Sequence, residues 1–139
     1  MSYKLLDHTA DLRVKFSGNI KKNLLKNSAI ALSEIIFEIK QNDVCIDNSK
    51  KLNLKLEEAE FSELYIDFLR EILFRINSSQ FYFIDFNFKK ITSTNLEAVC
   101  FYVEQDISNL KNEIKAVTYN ELKITENKEG WSAKVTFDI

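Results

Sequence analysis

The sequence predicts an α+β domain: a largely antiparallel β-sheet with two main helices packed on one face, a two-layer sandwich. Two segments carry apolar residues at helical spacing, and most of the remaining chain alternates apolar with polar residues as strands do. The helices and strands do not alternate regularly as β-α-β units, which argues against a parallel sheet. The 139 residues, 45% of them hydrophobic, fit a single domain over residues 1–139 with one core.

Tyr3 to Leu6 and Leu12 to Phe16 read as short strands; the second sets Leu12, Val14 and Phe16 against Arg13 and Lys15. From Ile20 to about Phe37 the apolar positions Leu24, Leu25, Ala31, Leu32, Ile35 and Ile36 define an amphipathic helix, with Asn19 as its expected cap. Asp43 to Ile46 is weakly strand-like, and Leu52, Leu54 and Leu56 alternate with Asn53 and Lys55 as a half-buried strand. Phe61, Leu64, Tyr65, Phe68, Leu69, Ile72, Leu73 and Ile76 then hold the i, i+3, i+4, i+7 pattern of a second helix, stopped near Asn77-Ser78-Ser79.

Everything after that helix reads as strand. Phe81 to Phe88 and Leu96 to Glu104 are two such runs; Ile114 to Thr125 and Trp131 to Ile139 form a hairpin around Asn127-Lys128-Glu129-Gly130. The aromatics of Phe81 to Phe86 occupy both parities, which fits a strand buried on both faces better than a wet base-stacking platform. The polar stretch Asp106 to Asn112 is a candidate mobile loop.

A net charge of -2 leaves no overall basic field to drive sequence-independent nucleic-acid binding, although a local patch is compatible with it. Cys45 and Cys100 lie far apart without CxxC spacing, in runs that read as strand, and are expected to be reduced, buried and inert. No secretory leader or apolar run of membrane-spanning length is evident, so a soluble, cytoplasmic protein is expected. Proline is absent and only two glycines occur, so Asn and Ser must take over much of the usual turn punctuation.

Three segments concentrate groups with chemistry. Asp7, His8, Thr9 and Asp11 fall within five residues at a strand-to-strand transition, where Asp and Thr also commonly bond turn amides. His8 is the only histidine, which excludes zinc sites that need two. The last strand runs through Asp138 into the carboxylate of Ile139, and if that strand joins the N-terminal one in a sheet, Asp11, Asp138 and the Ile139 carboxylate could converge. Hard oxygen donors of that kind suit Ca²⁺ or Mg²⁺; a solvated strand end is the plain alternative. Lys115 and Tyr119 share one parity with Val117, and a Lys facing a carboxylate cluster could reach a phosphate, although a strand Lys more often faces solvent. No glycine-rich phosphate loop and no GxSxG element is present, so the chain is not expected to be an enzyme.

These segments resemble the archease family. Asp7-His8-Thr9-Ala10-Asp11 is similar to its DHTAD motif, Lys115-Ala116-Val117-Thr118-Tyr119 to its KAVTY motif, and Gly130-Trp131 through Asp138-Ile139 to its closing GW…V.FDI pattern. The resemblance spans the whole chain in the same order. It implies a non-enzymatic accessory factor that activates an RtcB-type RNA ligase in tRNA splicing and RNA repair by promoting ligase guanylylation and multiple turnover. It also implies a divalent cation, calcium with Mg²⁺ or Mn²⁺ as alternatives, held by Asp11, Asp138 and the terminal carboxylate of Ile139, with association to tRNA or RNA only through the ligase.

On this reading Asp7, His8 and Lys115 are candidates for contact with the ligase. Arg13 stands where the family usually has Gly, and Asn120 where it usually has His. The family's Arg-His pair is not evident in Ser108 to Glu113, although Glu113 keeps the acidic position. Two other classes compete: a metal-dependent phosphoesterase using Asp11, Asp138 and Lys115, for which the chain offers few groups, and a metal-independent RNA-binding or protein-modulating adaptor.

Overall fold

The computed structural model describes residues 2–5 and 11–139. Nine main elements follow in order: β1 (Ser2–Leu5), β2 (Asp11–Gly18), α1 (Lys21–Phe37), β3 (Lys50–Glu57), α2 (Phe61–Ser79), β4 (Phe81–Ile91), β5 (Asn95–Glu104), β6 (Ala116–Asn127) and β7 (Gly130–Asp138). The α+β class and the antiparallel pairing agree with the sequence. The strands divide into two sheets, one ordered β1-β2-β7-β6 and the other β3-β5-β4. Helix α1 packs against β2 and β4 and so bridges both sheets, while α2 packs on β6 and on the strands of the second sheet.

Periodicity explains both helices. Leu24, Leu25, Ala31, Leu32 and Ile36 of α1 are buried, as are Leu64, Tyr65, Phe68, Leu69, Ile72 and Ile76 of α2. Each ends on a left-handed residue, Glu38 (φ 55°) and Gln80 (φ 55°), a position glycine usually fills. Ile20, not Asn19, occupies the start of α1, and no side chain caps it. Asn19 lies one residue too early to accept from the first-turn amides.

The segment around Cys45 corrects the sequence reading. Gln41–Asp43 forms one 3₁₀ turn, held where the Gln41 amide donates to Glu34 Oε2 (2.7 Å) and its Nε2 to the Ile84 carbonyl (3.1 Å). Asp43 to Ile46 forms no strand, and Cys45 is exposed, so its expected burial does not hold. Cys100 is buried on β5, where desolvation pushes its thiol up to about 12. The stretch read as a mobile loop is tied to α1: the Lys111 and Asn112 amides donate to the Ile36 carbonyl (2.9 and 3.0 Å), satisfying a helix-end acceptor.

On β4, a register shift between Phe83 and Asp85 changes parity, so Phe83 and Phe86 stack with ring centroids 5.8 Å apart. Tyr82 points the other way, packs on Phe37 and donates to the Ile39 carbonyl (2.8 Å). Tyr82, Phe83 and Phe86 are therefore core and not a stacking platform. Polar groups in the core are paired: Ser28 bonds both the Leu24 carbonyl and Tyr65 Oη (2.7 Å each), and Ser33 Oγ accepts from the Phe83 amide (3.0 Å).

The larger sheet places the C-terminal strand internally. β7 pairs with β2 on one side and β6 on the other, and its inward residues Ala133, Val135 and Phe137 are buried. Phe137 meets Phe16 edge-on at 6.2 Å. The β6–β7 turn needs Gly130, whose φ of 122° is open to glycine and strained for other residues.

Candidate functional site

The antiparallel register sets Asp11 opposite Asp138, and Asp138 opposite Ala116, across three adjacent strands. Strand alternation sends the neighbouring Leu12 and Phe137 inward to the core, so both carboxylates project from the outer face at one end of the sheet. Directly opposed residues place their Cβ atoms about 4.5–5.5 Å apart. The strand end is fixed as well: the Lys115 amide donates to the Asp138 carbonyl at 2.7 Å. Ile139 follows immediately and is exposed.

Two like charges in direct opposition destabilise a sheet unless something compensates them. Among the described residues, neither carboxylate has a basic side chain within 4.0 Å. Nor, among those residues, does any group of three His, Cys, Asp or Glu side chains assemble as a metal site. Among the described residues, a third donor at this edge would come from the main chain, with water completing the shell. The donor set fits a hard divalent cation such as Ca²⁺, which tolerates carbonyl and water ligands in irregular geometry.

The segment beside the aspartates is held from behind by α2. Arg70 donates from Nε and Nη2 to the Val117 carbonyl (3.3 and 3.2 Å), and its guanidinium lies 5.2 Å from the centroid of the Tyr119 ring. Asn77 Nδ2 donates to the Ile114 carbonyl (3.0 Å), and Thr118 Oγ1 to the Thr136 carbonyl (2.9 Å). Beyond Thr118 the pairing with β7 breaks until Lys123, and Glu121 takes a left-handed φ of 54°. This bulge carries Asn120 and brings Glu121 to Arg13 at 3.3 Å. Arg13 and the Asn120 region thus lie next to each other one register row in from the aspartates. Strand parity in the sequence gave no sign of this, because the bulge sets it.

Of the residues singled out from the sequence, Asp11, Asp138 and Ile139 are gathered at one edge. Lys115 is exposed and borders a shallow cleft with Arg70, Leu73, Phe74, Asn77 and Ser78, on the helix side of the sheet. Its side chain shares parity with Phe137 and not with the aspartates, so only its main chain touches the acidic edge. Asp7 and His8 lie outside the described residues.

The molecule is an antiparallel α+β domain whose larger sheet ends in a pair of directly opposed aspartates. A family model described as "Archease protein family (MTH1598/TM1083)" matches residues 3–139, and the chain belongs to that family. It is 33% identical over 143 aligned positions to protein archease of Methanosarcina barkeri, covering 99% of this chain and 95% of that one. It is 25% identical to protein archease of Methanopyrus kandleri, with full coverage of both.

Two solved structures share the fold. The solution structure of Methanobacterium thermoautotrophicum protein 1598 superposes with a TM-score of 0.74 at 22% identity, covering 99% of this chain and 98% of the other. The crystal structure of an archease from Thermotoga maritima, described as a possible chaperone, does so with a TM-score of 0.64 at 21% identity and coverages of 98% and 96%.

Proposed function

We propose that this chain is an archease-type accessory protein that activates an RtcB-type RNA ligase in tRNA splicing and RNA repair, promoting ligase guanylylation and multiple turnover without catalysing a reaction itself. Asp11, Asp138 and the terminal carboxylate of Ile139 hold a divalent cation, calcium in the first instance. When bound, the cation neutralises the acidic edge and offers open coordination positions to an anionic partner group. The observation that carries this reading is the register of Asp11 against Asp138 at the end of an internal strand.

The protein's own residues supply the platform. Pairing of β7 on both sides keeps the edge from fraying, and Arg70 and Asn77 anchor the adjoining strand to α2. Lys115, on the helix side, and the exposed Phe74 beside it give the ligase a second place to dock. The partner supplies the nucleotide and catalytic groups. No helix among the described residues is long and apolar enough to cross a membrane, and we place the activity in the cytoplasm.

The test is multiple-turnover ligation of a 3'-phosphate RNA by an RtcB-type ligase with and without this protein. Asp11→Asn should abolish the stimulation while the far-ultraviolet circular dichroism is unchanged. Full stimulation by that variant would overturn the assignment.

A further inference from the structure

The outer face of the larger sheet carries a second feature, two register rows in from the aspartates. Lys4 faces Lys15, Lys15 faces Lys134, and Lys134 faces Lys123, so one row across all four strands is lysine. Lys4, Lys123 and Lys134 are exposed and Lys15 is partly so. Among the described residues none of the four amines has a carboxylate within 4.0 Å. The next row is hydroxylic: Ser17 faces Ser132, and Ser132 Oγ bonds Thr125 Oγ1 at 2.8 Å. Lys15, Lys123, Lys134, Ser132, Thr125 and Asn127 together line a shallow cleft.

Like charges directly opposed across strands are destabilising. Lysine on an edge strand has a ready explanation, since it discourages pairing with another sheet. That explanation covers Lys4 on β1 and Lys123 on β6. It does not cover Lys15 and Lys134, which face each other on the two internal strands. The nearby carboxylates do not neutralise the row: Glu121 is taken by Arg13 at 3.3 Å, and Asp11 and Asp138 lie four residues along their strands, about 14 Å away.

We propose that this row binds the phosphate backbone of a single nucleic-acid strand, independently of sequence. Lysine amines and hydroxyls are the groups that contact phosphates without reading bases. Four lysines at strand spacing cover about 14 Å, enough for two or three successive phosphates. An acidic protein surface fits less well. Protein interfaces are depleted of lysine at their centres and rely on aromatic or aliphatic anchors, and this row and its hydroxylic neighbour present none. The inference goes beyond the proposed ligase activation and stands without it, because no ligase and no cation enters the contact.

The experiment is fluorescence anisotropy with labelled oligouridylate and the isolated protein in EDTA, titrated between about 25 and 200 mM KCl. For single strands the slope of log K against log salt is about -0.7 per phosphate contact, so two or three contacts give about -1.4 to -2.1. The double variant Lys15→Gln/Lys134→Gln should reduce the slope by about 1.4 and weaken binding at least about tenfold at 50 mM. Its thermal midpoint should be equal to or higher than that of the unmodified protein, because opposed charges are removed.

Lys51→Gln/Lys55→Gln on the second sheet changes net charge equally and should leave binding within about twofold. Three results would overturn the proposal: no binding by the unmodified protein at 25 mM salt, equal loss in both double variants, or equally tight binding of a matched polyglutamate.

Discussion

Removing one of the two opposed carboxylates should have effects of opposite sign with and without a cation. In EDTA, Asp138→Asn relieves a cross-strand like-charge pair worth about 0.2–1 kcal/mol. An unfolding entropy of about 2.1 cal/mol/K per residue over 139 residues gives about 0.3 kcal/mol/K. The variant should therefore melt about 1–3 °C above the unmodified protein. With Ca²⁺ at a hundred times its dissociation constant, a cation bound only by the folded state adds about 2.7 kcal/mol, which the same entropy converts to about 9 °C. On the proposed assignment the variant lacks one ligand and should gain little, so the order of the two midpoints reverses. Differential scanning fluorimetry in EDTA and across a Ca²⁺ series reads both quantities. A variant less stable in EDTA, or equal responses to Ca²⁺, would refute the reasoning.

Two further predictions concern the frame around the site. Gly130→Ala places a Cβ at φ 122°, 2.6 Å from the Gly18 carbonyl oxygen, and should cost about 2–4 kcal/mol by urea denaturation; a loss below about 1 kcal/mol would mean the turn relaxes freely. Asp85 titrates below the ordinary carboxylate range: burial pushes it up, but Lys26 at 2.8 Å and the Phe86 amide outweigh that. Because its folded value is depressed, its contribution is complete above the unfolded value near 3.9 and is lost as pH falls through the lower, folded one. The stability gap between the protein and Lys26→Gln should hold at neutral pH and close below about pH 4, and a gap that widens on acidification would contradict the assignment.

Much of the frame could be read from the sequence because its signals are periodic. The apolar stripe from Phe61 to Ile76 has one good solution, an amphipathic helix, and the alternation of Leu12, Val14, Phe16 and of Ala133, Val135, Phe137 leaves little choice of inward face. Once those two strands are neighbours, parity alone sends Asp11 and Asp138 outward together.

What escaped was decided by pairing partners and by breaks in periodicity. Division into two sheets depends on α1 bridging β2 and β4, which no local pattern encodes. The bulge between Thr118 and Lys123 resets parity in the middle of a run that reads as continuous strand, and so hid both the Arg13–Glu121 pair and the alignment of Lys123 with Lys134. Each lysine of that row looks, in its own strand, like an ordinary solvated residue. Cys45 was misjudged because the apolar character of its short run was outweighed by the 3₁₀ turn at Gln41–Asp43, which leaves it at the surface.

The central claim is that the proposed activation of the ligase needs a cation held partly by the carboxylate of Ile139. Adding one glycine after Ile139 moves that carboxylate by up to about 3.6 Å while leaving every residue of β7 in place. Single-turnover guanylylation of an RtcB-type ligase, measured with the unmodified and the extended protein in saturating Ca²⁺, tests the claim directly. Loss of the acceleration with the extended chain is the predicted result, and full acceleration by it would contradict the account.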